Sequence, residues 1–386
     1  MTGPTPRDAR LDAERLIAFL ARRAVAPGTL AEGDWERIIA LAVQEGVGPV
    51  LYSRLKERAC LLPRKQAEQL RRAYLANAAR NIRLFHELGT ILRTQQAASV
   101  SVILLKGAFL AEAAYGDIAL RPMADLDLWV QRYQLDAARS VMQTLGYASR
   151  SQADRPLALQ DALTGETQMF NADASLVELH WNVFPGEWVR HTTQIDEGTV
   201  WGRSLPLDGG PTRRLSPEDT VIHLCVHLAV THQMSGVGLR TLVDLDYARR
   251  KWTIDWKEVA QRTRAWRVSC ATWLVLHALA ELFGDPEHEL PLAELAPSRL
   301  RQSALARFAS PRLFAEGLDL SSGPMRFLFL LSLVDRPRDA AFLVWRALFP
   351  DRLWLTLRYE SPNASAWRIC RLRAGHLLNL ATRREV

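Results

Sequence analysis

Residues 121–130 read RPMADLDLWV and set two carboxylates, Asp125 and Asp127, two positions apart in an apolar run. In an extended segment, residues i and i+2 point to the same face, so the two would lie side by side. Like charges that close repel unless a cation sits between them, and half-burial without one is costly. The stretch therefore asks for a metal, and removing one charge is expected to relieve the repulsion. A third acid, Glu178, stands in the later apolar run VELHW, two residues before His180. Three carboxylates on neighbouring strands make an oxygen-rich site for a hard divalent ion such as Mg²⁺ or Mn²⁺. Two such ions, about 3.5–4 Å apart, clamp the attacking and leaving oxygens of an in-line displacement at phosphorus. Upstream, LLKGAF supplies a strand, a glycine (Gly107) that permits close backbone approach, and a helix whose N-terminal amides face anions. Lys106 and Arg121 add positive charge to that pocket. His180 either bonds the carboxylates, positions an acceptor, or packs as a structural histidine under Trp181.

The elements that must position these residues follow from periodicity and punctuation. Residues 1–97 read as helical. DWERIIALAVQEGV opens with Asp34 as a cap and ends in Gly46, with Trp35, Ile38, Ile39 and Ala42 on one stripe. After Pro63, a long helix places Leu70, Tyr74, Ala78, Ile82, Phe85, Leu88 and Leu92 at helical spacing. The texture changes at Val100: VSVILLKG is a short strand and turn, AFLAEAAYGD a helix, DLDLWV a second strand, and 133–145 a helix stopped by Gly146. QMFNADASLVELHW suggests a hairpin around NADAS, and 185–214 reads as irregular and Gly/Pro-rich. Ser216, Pro217 and Asp219 then start a helix, and the pattern stays mainly helical to the end. The class is α+β: an N-terminal helical region (1–97), a small mixed sheet (98–214) and a C-terminal helical domain (215–386).

Other groups carry weaker chemistry. His223 and His227 are spaced i, i+4 as two metal ligands can be, yet Leu224 stands where a metalloprotease motif needs glutamate; packed or substrate-facing histidines are the better reading. Asp244 and Asp246 lie about 200° apart on a helix, so they share no face, and Asp244 either contacts the sheet core or is a capping or salt-bridged acid. Trp252, Trp256, Trp266 and Trp273 read as packing. Four scattered cysteines, Cys60, Cys225, Cys270 and Cys370, form no C-x-x-C pair and fit a reducing cytoplasm. No stretch reaches the length of about 18 apolar residues that a membrane span needs. The net charge of +7, with arginines such as Arg368, Arg371 and Arg373 near the end, favours polyanionic partners, although no aromatic-basic RNA motif accompanies it.

LLKGAFLAEAAYGDIALRPMADLDLWV, with VELHWNVF, LSPEDTVIHLCVHLAV and GLRTLVDLDYA, resembles nucleotidyltransferase family 5 of the polymerase-β-like superfamily, and the likeness spans most of the chain. The resemblance implies a small mixed sheet flanked by helical regions, with Asp125 and Asp127 as metal ligands and Glu178 as the third carboxylate. Gly107 would mark the nucleotide-binding turn, with Lys106, Arg121 and His180 beside the nucleotide. The superfamily usually places serine after that glycine, where this chain has Ala108. The implied activity is Mg²⁺-dependent transfer of NMP from an NTP, ATP among the candidates, to an RNA 3′ end, a protein or a small molecule, with RNA favoured by the charge. The rival expectation is a non-catalytic nucleotide- or partner-binding module, as in a toxin–antitoxin or peptide-biosynthesis system.

Overall fold

The computed structural model describes residues 6–23, 30–58, 62–149, 156–172, 175–207, 210–236, 238–285, 288–311 and 323–381. Four helices come first: α1 (Pro6–Leu20), α2 (Glu32–Gln44), α3 (Gly48–Glu57) and α4 (Arg64–Ala97). α2 buries Trp35, Ile38, Ile39 and Ala42, as their spacing predicts. Asp34 is not its cap. The helix starts earlier, behind Ala31, and the Asp34 carboxylate at the third helical position accepts the Ala31 N–H at 3.1 Å. α4 buries Leu70, Asn77, Asn81, Leu84 and Leu88, while Ile82 is 60% exposed. The predicted stripe is thus one residue out of phase in the middle of the helix. The cause is polar: the Asn77 amide donates to Ala119 O (2.7 Å) and the Asn81 amide to Arg121 O (2.8 Å). Those carbonyls belong to the loop before the carboxylate strand, and buried carbonyls need donors. Apolar pattern alone does not show that two asparagines face inward.

The middle of the chain builds one sheet from β1 (Val102–Leu104), α5 (Lys106–Ala113), β2 (Asp125–Val130), α6 (Leu135–Thr144), β3 (Ala148–Ser149), α7 (Leu157–Leu159), β4 (Glu166–Phe170) and β5 (Leu176–His180). α8 (Glu187–Thr192), α9 (Glu197–Arg203), β6 (Leu205–Pro206) and β7 (Arg213–Arg214) follow. The strand order is β3-β4-β5-β2-β1-β7-β6. β2 runs antiparallel to β1 and parallel to β5, so the sheet is mixed. β4 and β5 form the expected hairpin; residues 173 and 174 of NADAS lie outside the described residues. The irregular reading of 185–214 was too coarse. Asp196 caps α9 by accepting the Thr199 N–H, and Trp188, Val200 and Trp201 are buried, while β7 adds to the edge of β1. Elements of two to seven residues are too short to show a period.

The last part opens as read: α10 (Pro217–Val226) has Ser216 Oγ accepting the Asp219 N–H at 3.2 Å. A π-helical turn, His227–Thr231, joins it to α11 (Gly238–Lys251), followed by α12 (Trp256–Trp266) and α13 (Ser269–Phe283). Further helices continue to Ala366–Ala381. Trp266 and Trp273 are buried, and Trp252 stacks on Phe109 at 5.4 Å; the tryptophans pack, as expected. One hydrophobic core runs from Leu16 to Leu343 through all three segments, so the sheet is clamped between helices that precede and follow it. Among the described residues, no helix is long and apolar enough to cross a membrane, and Cys225, Cys270 and Cys370 are free thiols.

Candidate active site

The register of the central strands brings the acids together. β2 and β5 pair in parallel with Asp127 opposite Glu178 and Trp129 opposite His180. Residues opposite one another in a ladder share a face, so Asp127, Glu178 and His180 point to the same side of the sheet. Each offers a ligand atom within 4.8 Å of the others. Asp125, one pleat earlier, lines the same cavity of about 240 Å³, together with Lys106, Gly107, Arg121 and Glu178. Its carboxylate is not one of the three clustered ligand atoms.

Lys106 enters from the β1–α5 junction. Its backbone has φ +46°, a left-handed conformation that a side chain tolerates poorly. The bend aims its ammonium at the acids: Nζ lies 2.6 Å from Asp127 Oδ1 and 3.8 Å from Glu178 Oε2. Gly107 follows because of a close approach: a Cβ there would run into the Arg121 guanidinium and stand 2.9 Å from Met123 Cγ. Ala108 is buried, at 3% exposed.

The charges are set by these neighbours. Burial works against ionising Asp127, but Lys106 and a hydrogen bond from His180 Nε2 (3.1 Å) hold its carboxyl well below the usual range. Asp125 is pushed up by burial and by the Asp127 charge. Burial, with Asp127 beside it, raises Glu178 to about 7. Burial opposes charging of His180, yet Asp127 on one side and Glu166 on the other raise its pKa. Across the cavity, His227 and His232 are pushed down by burial, His232 to about 4, so both imidazoles are neutral. His223 stacks on Phe184 at 5.3 Å within the core. His223, in α10, thus packs, while His227, at the start of the π-helical turn, lines the cavity wall.

Three contributors escaped the sequence reading. Glu166 sits opposite His180 in the β4–β5 ladder and faces its Nδ1 at 3.4 Å; a carboxylate behind an imidazole fixes tautomer and ring orientation. Gln168, opposite Glu178, donates to Glu178 Oε1 at 2.9 Å. Both follow from the β4–β5 register, which sets Glu166 opposite His180 and Gln168 opposite Glu178. Arg240, on α11, also lines the cavity, and only the tertiary fold brings it there. Arg121 is in the cavity wall but paired: Nε and Nη2 grip both Asp244 oxygens at 2.9 Å, and Tyr115 Oη donates to Asp244 at 2.6 Å. Asp244 thus contacts the sheet core. Asp246, turned away, pairs with Arg249 and Arg250.

A buried carboxylate cluster on facing residues of the parallel β2–β5 pair, met by a lysine from the β1–α5 junction, is an arrangement suited to phosphate chemistry on a divalent ion. No curated protein and no solved structure matches the chain. A family model described as uncharacterised nucleotidyltransferase matches residues 31–284, well over half of the 386. This match takes in the sheet, the cavity and the helices α2 to α13 that frame them, and the chain belongs to that nucleotidyltransferase family.

Proposed function

We propose that this protein transfers a nucleoside monophosphate from an NTP to an acceptor hydroxyl with release of pyrophosphate, using Mg²⁺ or Mn²⁺. The observation that carries this is the convergence of Asp127, Glu178 and His180 within 4.8 Å in a cavity also lined by Asp125. The donor set fits a divalent ion. Acids Asp125, Asp127, Glu166, Glu178 and Asp244 outnumber bases Lys106, Arg121 and Arg240 around the cavity. An imidazole among oxygen donors suits Mn²⁺ as well as Mg²⁺. When bound, such an ion supplies Lewis-acid charge at the α-phosphate.

In this reading residues 98–214 form the catalytic core, with helical segments 1–97 and 215–386 as its flanks. Asp127 and Glu178, with Asp125 beside them in the cavity wall, would hold the cation, and His180, fixed by Glu166, supports Asp127. Glu178, held by Gln168, takes the proton of the acceptor hydroxyl. As the acceptor oxygen bonds to the α-phosphorus, the bond from that phosphorus to the bridging oxygen breaks and its electron pair leaves with pyrophosphate. Lys106, whose partner Asp127 a bound cation would engage, would then turn its charge to the phosphates, and Gly107 leaves room beside Arg121 at the start of α5. For the acceptor, RNA is favoured over a protein or a small molecule by the net charge of +7 and by exposed Arg371 stacked 4.8 Å from the Trp367 ring. The free thiols fit a reducing compartment such as the cytoplasm.

The test is incubation with each α-labelled NTP, Mg²⁺ or Mn²⁺, and total cellular RNA or protein. Label should pass to one acceptor pool with stoichiometric pyrophosphate, and a chelator should stop it. Absence of both products with every NTP and both ions overturns the reading and leaves a nucleotide- or partner-binding module.

A further inference from the structure

Two arginines line the cavity and are held in opposite ways. Arg121 is spent: its fork is locked onto both oxygens of Asp244, so binding an anion would first require breaking a buried ion pair. Arg240 has only a long contact, Nη1 to Pro122 O at 3.4 Å. No ion pair to a carboxylate within 4.0 Å is formed by it among the described residues. Burial, and then the Arg121 charge, push its pKa below the ordinary value against the pull of Asp244 and Asp125.

Arg240 is also aimed by a separate part of the chain. The end of α2 lies beneath it. Glu45 Oε2 accepts the Leu239 N–H at 3.3 Å and so fixes the start of α11. Gly46 has φ +68°, and a Cβ there would stand 3.3 Å from Arg240 Cδ. A turn without side chain supports the arginine stem, and a buried carboxyl holds the backbone next to it. The sheet side of the cavity is acidic and the α11 side carries the unpaired fork.

We propose that Arg240, not Arg121, binds the β- and γ-phosphates of the NTP, and that Glu45 and Gly46 are positioning residues that hold its fork at the cavity. This rests on the NTP reading above. A guanidinium takes two phosphate oxygens in parallel, which an ammonium does not. The consequence is that the N-terminal helices are part of the nucleotide site rather than an arm for the acceptor.

The probes are inorganic tripolyphosphate, an NTP and the matching nucleoside monophosphate, titrated calorimetrically in Mg²⁺ into full-length wild type, Arg240→Gln, Arg240→Lys and Gly46→Ala. Arg240→Gln should weaken tripolyphosphate and NTP roughly tenfold to a hundredfold, the size expected for two charge-assisted hydrogen bonds. Its monophosphate affinity should shift by less than about twofold. Arg240→Lys keeps the charge without the fork and should fall between, and it carries the test should the glutamine variant not fold by its melting curve. Gly46→Ala should weaken tripolyphosphate in the same direction. Equal triphosphate binding by wild type and both Arg240 variants overturns the inference while leaving the NTP reading intact. Equal loss of monophosphate and triphosphate also overturns it, since that is a collapsed cavity and not a lost phosphate contact. If wild type binds neither NTP nor tripolyphosphate, the NTP reading itself fails.

Discussion

At Asp127 two groups meet one carboxylate. Lys106 is 2.6 Å away, His180 Nε2 is 3.1 Å away, and the side chain is 3% exposed. The sequence places Lys106 in the same pocket but does not show which acid it pairs with, and the repulsion between Asp125 and Asp127 leads it to expect relief on neutralisation. The structure reverses that expectation, because the compensating positive charge is supplied by Lys106 and not by an ion alone. Asp127→Asn should therefore lower stability, by about 1–3 kcal/mol, since it leaves a buried ammonium with Glu178 at longer range. The same change should cut metal-dependent transfer on the order of a thousandfold. Thermal melting and single-turnover label transfer check the two effects separately. A variant that melts higher than wild type contradicts the ion-pair account; near-wild-type turnover removes Asp127 from the reaction.

The β1–α5 junction and the contact of α2 with α11 are where whole elements meet the cavity. Gly107→Ala should cost about 1–3 kcal/mol of overpacking, because Arg121 is tied to Asp244 and cannot swing aside freely. Denaturant midpoints measure this, and an unchanged midpoint would show the Arg121–Met123 loop to be yielding. At the α2–α11 contact, burial raises the Glu45 carboxyl from 4.5 to about 7. The folded protein thus keeps a proton there that the unfolded chain has lost. The stabilisation is complete below pH 4.5 and disappears as pH rises through about 7. Its size is about 3 kcal/mol. Glu45→Gln cannot ionise, so its stability should exceed that of wild type by up to this amount at about pH 8 and lose the slope between about pH 5 and 7. Parallel pH profiles for the two proteins would mean that Glu45 is already ionised when folded. These elements also show what a sequence yields. Asp125, Asp127, Glu178 and His180 were legible because a strand has period two and their acids stand out in apolar runs. Glu166 and Gln168 needed the hairpin register, and the Asn77–Asn81 face of α4 needed the loop it serves. Arg240 is 119 residues from Arg121 in the chain, and no local pattern says which of them is already paired.

Across the whole molecule, the chain beyond residue 284 lies outside the family match and holds much of the exposed apolar surface: Trp345 is 58% exposed, Leu353 49% and Trp367 68%. The last described helix, Ala366–Ala381, presents Arg368, Arg371 and Arg373, all exposed. Arg371 lies over the Trp367 ring. Arginine next to an exposed aromatic gives a phosphate contact and a stacking face in one place, the combination that holds single-stranded nucleic acid without sequence preference. Neither feature is needed to close the cavity, which draws its walls from residues 106–244. Acceptor binding and nucleotide binding should therefore separate by mutation. Changing Arg368, Arg371 and Arg373 together to glutamine removes up to three phosphate contacts, so log affinity for a single-stranded RNA should lose about 0.7 of salt slope per contact. Fluorescence anisotropy across a salt series gives that slope, and calorimetry gives NTP and Mg²⁺ affinities, which should not move. Trp367→Ala, with the arginines intact, should weaken RNA by about 1–3 kcal/mol with little change of slope, because stacking is not a charge effect. Unchanged slope and affinity in both variants would reduce this helix to a solvated surface. No binding by wild type even at low salt would remove RNA as the acceptor and direct the search to a protein side chain or a small molecule.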